Sequence, residues 1–138
     1  MQKIDVMYKK KLNTRERTHS KAPNSNISII AKIIGNVSSA DLRETIRKMQ
    51  IRHQLLNSHL QMKNNDVYLF GKSNMEIPLK VLPREGEQHW KKQIIEEHKI
   101  PFNLREGPLI RFILLRSSDI SDLIIFCQHT ICDGMSLA

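Results

Sequence analysis

An α+β fold, a mixed and mostly antiparallel sheet with helices on one face, is predicted by three features of this sequence. Three long runs, "NISIIAKIIG", "PLIRFILLR" and "DLIIFCQH", are rich in β-branched and apolar residues and have strand length. Two stretches, about residues 40–53 and 86–99, carry apolar residues at helical spacing with charges between them. Polar turn segments separate these runs, giving the order strand, helix, hairpin, strand, helix, strand pair, a pattern that fits a sheet covered by helices.

The elements follow in chain order. Residues 1–25 are polar and basic, with one short apolar patch around Ile4–Tyr8, and read as an irregular leading segment. The first strand ends at Gly35. Ser38 with Asp41 three positions later has the spacing of a capping box, and Leu42, Ile46 and Met49 form one face of the helix that follows, from about Ala40 to His53. "SHLQM" and "VYLF" flank the polar "KNND", a hairpin pattern. "IPLKVL" is a further short strand. Trp90, Ile94 and Ile95 mark an amphipathic helix that Pro101 closes. The last two strands are nearly continuous apolar runs, which predicts neighbours buried in the sheet.

A chain of 138 residues fits one domain, and no repeat or low-complexity linker divides it. Hydrophobic residues at 40% and charged residues at 26% are globular proportions. No apolar window reaches the ~18 residues of a membrane helix, and the N-terminus lacks the apolar core of a signal peptide, so membrane and secreted classes are set aside. Cys127 and Cys132 lack metal-ligand spacing and read as reduced thiols of a cytoplasmic protein. Lys and Arg number 22 against 14 acidic residues, a net charge of +8. That excess motivates a basic nucleic-acid-binding reading, but no basic helix with interleaved aromatics carries it, and a solvated surface is the commoner meaning.

The chemistry-bearing stretch is "FCQHTICDGMS". It delivers His129 to the end of an apolar strand, where loops meet and pockets form. An imidazole there suits general-base work. Asp133 can hold the following turn or pair with a cation, and Gly134 permits a backbone path that a side chain would obstruct. The plainer readings are a hydrogen-bonded structural histidine and cysteines packed as small hydrophobes. A metal at His129 and Asp133 lacks a third ligand, and nothing nearby would activate Cys127 or Cys132 as a nucleophile, so no metal is expected.

"QHTICDGMS" resembles the His-His-x-x-x-Asp-Gly signature of the condensation-domain superfamily of acyltransferases, which includes chloramphenicol acetyltransferase and alcohol acetyltransferases. "PFNLREGPLIRFILLR" is similar to that family's Pro-Phe-Asp-Leu…Gly-Pro-Leu segment. "IRHQLLNSHL" and "SSADLRETIRKM" resemble its Arg-His-Pro-x-Leu-Arg segment and the helix before it, and "LNTRER" sits at its opening Glu-containing segment. The match runs in order from Leu12 to Ala138. It implies a chloramphenicol acetyltransferase-like two-layer lobe, the N-terminal one of two.

The resemblance further implies acyl transfer from a coenzyme A or phosphopantetheine thioester to an amine or hydroxyl, with no permanently bound cofactor. His129 matches the catalytic histidine of the signature. Asp133 matches its structural aspartate, which pairs with an arginine, here assigned by position to Arg52, and Gly134 keeps the acceptor channel open. Near the site the chain departs from the family: Gln128 stands for the first histidine, Gln54 for a proline and Asn57 for a second arginine, and the changes at 54 and 57 are expected to loosen the loop near the site. The implied partners are a C-terminal lobe, an acyl carrier protein and a small amine or alcohol acceptor. Neither nucleic acid nor membrane is expected as a partner. Ending at Ala138, the chain is expected to lack the second lobe, to be inactive alone and to self-associate through the cut face. Its opening methionine favours a free-standing transferase. A non-catalytic binding module of the same family is the alternative function.

Overall fold

A computed structural model of the protein describes residues 6–11, 26–72 and 75–131. Among the described residues, seven strands form two sheets, accompanied by two main helices. The smaller sheet has the order β1 (Val6–Lys11), β4 (Asp66–Lys72), β3 (Ser58–Lys63), all antiparallel. The larger has the order β2 (Asn26–Ile34), β7 (Ile120–Gln128), β6 (Ile110–Arg116), β5 (Leu79–Pro83). Only β5 and β6 run parallel among these pairs, because the segment between them crosses over through helix α2 (His89–His98). The predicted mixed, mostly antiparallel arrangement is therefore present, divided between two sheets.

Local signals account for the elements that form. Helix α1 (Ser39–Arg52) begins where the Asp41 N–H donates to Ser38 Oγ at 3.3 Å, and Asp41 and Arg52 place opposite charges at the ends of its dipole. Asn64 and Asn65 both take positive φ, 52° and 66°, as a two-residue hairpin turn of the primed type requires. They join Lys63 to its register partner Asp66. Helix α2 starts at His89 rather than near Gly86, since Gly86 takes φ 140° and its carbonyl accepts the His89 N–H in a preceding turn.

The irregular segment expected over residues 1–25 is corrected in part: Val6–Lys11 is strand β1, with Lys9 opposite Phe70. A run of lysines reads as solvated in isolation. The hydrogen-bonding edge of β4, distant in sequence, makes it a strand, and lysines suit an edge that should not recruit further chains.

Alternation along β6 and β7 sorts the core. Phe112, Leu114, Leu123 and Ile125 join the larger cluster with Ile46 of α1 and with Leu60 and Leu69 of the smaller sheet. Ile113, Leu115 and Ile124 point to the other face and meet Trp90 and Ile94 of α2. The helices are thus divided between the two faces of the larger sheet, where the sequence placed them on one. Periodicity reports that a helix has an apolar side but not which side of a sheet covers it.

Two buried charge pairs interrupt this apolar layer. Arg84 Nε lies 2.8 Å from Asp122 Oδ2, the two side chains being 10% and 3% exposed. Glu97, a helix residue that would be expected in solvent, is buried and sits 2.9 Å from Arg111 Nε and 3.1 Å from Lys80 Nζ. Arg111 Nη2 also donates to the Glu97 and Ile100 carbonyls, at 2.8 and 2.7 Å, closing the C-terminal end of α2. Its guanidinium lies against the stacked pair of Phe102 and Phe126, 4.4 and 4.8 Å from their centroids. Burial pushes the Arg111 pKa below its ordinary value, and the Glu97 carboxylate opposes that shift. Glu97→Ala removes this counter-charge and should lower stability by about 3 kcal/mol, measured by urea unfolding. A loss no larger than that of a surface substitution would show that the two carbonyls alone satisfy Arg111.

Candidate functional site

Strand β7 carries the signature stretch. It pairs with β2 along its whole length and with β6 from Asp122 to Cys127, and the Gln128 N–H donates to the Leu109 carbonyl at 2.9 Å. The backbone turns helical over residues 129–131. Phe126, Cys127, Gln128, Thr130 and Ile131 are all buried, while His129 between them is half-buried. Its Nδ1 is buried.

The position of Gln128, where the family signature has its first histidine, is fully enclosed. The Thr130 N–H donates to Gln128 Oε1 at 2.7 Å. The Cys127 thiol is buried in the larger cluster, as its reading as a small hydrophobe implied, with Sγ 3.6 Å from the Gln128 carbonyl. Cys132, Asp133 and Gly134 lie outside the described residues. Arg52, assigned as the partner of Asp133, is exposed at the last turn of α1.

The segment after α1 shows what replaces the family residues. Gln54 is exposed at the start of a short 3-10 turn, Gln54–Asn57. Asn57 is buried and engages Gln50 reciprocally: Gln50 Nε2 donates to Asn57 Oδ1 at 2.7 Å, and Asn57 Nδ2 donates to the Gln50 carbonyl at 3.0 Å. Gln50 Nε2 also donates to the Met75 carbonyl. The loop expected to loosen at this departure is therefore braced at Asn57. This pair escaped the sequence reading because Asn57 lies beyond the end of α1 and two polar amides add nothing to an apolar pattern. A cleft of about 740 Å³ opens beside it, lined by Arg43, Ile46, Gln50, Gln54, Asn57 and Ile77 among others. His129 is not among the described residues that line this cleft.

The loop leading into β6 is equally fixed. Asn103, where the family has aspartate, keeps the acceptor role: its Oδ1 accepts the Glu106 N–H and its carbonyl accepts the Gly107 N–H. Gly107 takes φ 66° and presses on β3 so closely that an added Cβ would lie 2.3 Å from the Ser58 carbonyl oxygen. The stretch "REGPL" thus joins the start of the strand beside β7 to the smaller sheet.

These elements form a mixed two-sheet lobe with His129 at the end of an internal strand, and the chain belongs to the condensation-domain family, whose model matches residues 12–138. It is 24% identical over 115 residues to surfactin synthase subunit 1 of Bacillus subtilis (strain 168), and 27% identical over 116 residues to the hybrid PKS-NRPS synthetase traA of Penicillium crustosum. Each alignment covers 81% of this chain and 3% of the relative, so the chain spans a small part of either synthetase. In structure it is similar to a four-domain nonribosomal peptide synthetase bound to AMP and glycine, with TM-score 0.76 and 13% identity over 95% of this chain and 11% of that one. It is also similar to the condensation domain of the monacolin K polyketide synthase MokA, with TM-score 0.75 and 10% identity over 90% of this chain and 30% of that one. A variant of the starter condensation domain of rhizomide synthetase in complex with C8-CoA gives TM-score 0.67 and 18% identity, covering 85% and 29%.

The brace at Asn57 generates a measurement. Asn57→Ala and Gln50→Ala should each lower stability by about 1–3 kcal/mol, and the double variant should lose less than their sum by about 1 kcal/mol. Strict additivity in urea unfolding would mean that the two amides do not act together.

Proposed function

We propose that this chain is the N-terminal lobe of a condensation-type acyltransferase in which His129 serves the acceptor nucleophile. The observation that supports this most is the half-buried imidazole of His129, set among fully buried neighbours at the end of β7, in a chain that matches the condensation family nearly throughout. A residue held among buried neighbours has a fixed place, as a positioned base must have.

In this reading the acceptor's amine nitrogen or hydroxyl oxygen attacks the carbonyl carbon of an acyl thioester. His129 takes or orients the acceptor's proton as the new C–N or C–O bond forms. The C–S bond then breaks, and the departing thiolate regains a proton to leave as the free thiol. Asp133 and Arg52 pair to hold the turn, and Gly134 leaves the acceptor's path open. Gly134 and Asp133 act on the substrate only through shape and position.

The donor is coenzyme A or the phosphopantetheine arm of an acyl carrier protein, which offer the same thioester. The complex of the rhizomide domain with C8-CoA supports the first, and the synthetase relatives support the second. A second lobe would supply the facing wall of the channel, exclude water and hold the two substrates together. A second reading, a binding module without turnover, is favoured by one observation: Asn57 replaces a charged family residue with a neutral amide turned toward Gln50.

The test is His129→Ala in a two-lobed protein carrying this chain. Thioester-dependent product formation should fall by roughly 10²–10⁴-fold with folding retained. Unchanged turnover would remove His129 from the chemistry, and absence of turnover in the parent protein would favour the binding module. The 138-residue chain alone should show no acyl transfer above the uncatalysed rate in the same assay.

A further inference from the structure

We propose that Gln128 is a positioning residue for His129, capping the helical turn that carries the imidazole by a hydrogen bond that does not depend on pH. The proposal deepens the acyl-transfer reading of His129 and rests on it. Its basis is the geometry of three consecutive residues. Gln128 ends β7, its own N–H held by the Leu109 carbonyl at 2.9 Å. Its side chain then reaches forward, and Oε1 accepts the Thr130 N–H at 2.7 Å. His129 lies between these two bonds, with the residue before it held by the Leu109 carbonyl and the residue after it held by the Gln128 side chain.

This is the bond that an N-cap residue makes, a side-chain oxygen receiving an N–H of the first turn. Glutamine seldom has that role, and here it works because the residue is enclosed and its extra methylene is packed. Thr130 is also buried. Without an acceptor at 128 its N–H would face no water, and the turn would shift to find a partner. Any such shift moves the ring of His129 first.

The family's histidine at this position makes the contrast chemical. A neutral imidazole has one acceptor nitrogen and could receive the Thr130 N–H, whereas an imidazolium has two donors and could not. A carboxamide keeps its acceptor at every pH. Among the described residues, the titratable groups near Phe126 on this face are His98 of α2, whose ring meets Phe126 edge-on at 4.8 Å, Arg111 of β6 over the same ring, and Glu97, which pairs with Arg111. The Asp122–Arg84 pair lies further along the same face of β7. On the facing strand β2 the register partner is Asn26, which does not titrate.

The experiment uses Gln128→Met, which keeps the volume and removes the acceptor, and Gln128→His, which restores an acceptor only when neutral. In the chain itself, the Thr130 amide of Gln128→Met should exchange with solvent at least ~10-fold faster than in the wild type while the fold still unfolds cooperatively. In a two-lobed protein, Gln128→Met should lose about 10–100-fold in kcat with the acceptor KM within about twofold. Gln128→His should approach wild-type kcat at about pH 8 and fall well below it at about pH 6. Wild-type Thr130 exchange in Gln128→Met, or a Gln128→His to wild-type kcat ratio that is equal at both pH values, overturns the proposal. If instead His129→Ala turns over normally, the acyl-transfer reading fails, and the Thr130 exchange rate still decides whether Gln128 caps the turn.

Discussion

The site depends on how β7 is held. This strand is hydrogen-bonded on both edges, to β2 and to β6, and it packs apolar side chains on both faces of its sheet. A strand enclosed in this way has no freedom to slide, twist out or fray at its C-terminal end, so the residue that follows it has a fixed address. Each large side chain buried along it contributes about 1.5–3 kcal/mol to keeping that address. A loop could present a histidine as readily, but not with this constraint on where it sits.

The buried charges make the same point by a different route. Asp122 near the start of β7 meets Arg84, and Arg111 of β6 meets Glu97 beneath Phe126. Neither pair is a cheap source of stability, since desolvating two ions can cost as much as their attraction returns. What they add is register. Sliding β7 by one residue would turn Asp122 to the face occupied by Leu114 and Leu123 and leave Arg84 buried without a counter-charge. Apolar side chains alone tolerate such a slip better, because isoleucine and leucine alternate on both faces. The charge pairs therefore fix the alignment that hydrophobicity leaves less distinct, at both ends of the strand pair that leads to His129.

How much of this could be read from the sequence varies by element. The strand β2, the asparagine turn, the Ser38 cap and the β6–β7 pair were legible because each is encoded by neighbouring residues. Strand β1 was not, because its lysines become a strand only through the distant edge of β4. The burial of Glu97 was not, because a single acidic residue in an amphipathic helix looks solvated until the partner from β6 is in place. The division of the helices between two faces depends on the crossover between parallel β5 and β6, which periodicity does not report. At the site, His129 stood out by its position after an apolar run, and the structure leaves it half-buried there. The amide bonds of Gln128, Asn57 and Gln50 were hidden, being contacts between residue types that usually mark exposed surface. Asp133 and Gly134 fall outside the described residues, so the pairing of Asp133 with Arg52 rests on the family resemblance.

The departures from the family signature gain a physical sense once those amides are seen together. Read as letters, glutamine for histidine and asparagine for arginine suggest a site that has lost charge and is eroding. Erosion in a packed interior leaves buried polar groups without partners, because a side chain drifts faster than the cavity built around its predecessor. Gln128 and Asn57 are each buried and each hydrogen-bonded, one to the backbone of Thr130 and the other reciprocally to Gln50. An amide offers donor and acceptor together, needs no counter-ion and carries no charge to desolvate. A neutral amide at Gln128 therefore puts no charge beside His129 and still holds the turn that follows it. The substitutions at these two places are matched to their surroundings, which is how a changed framework differs from a decaying one.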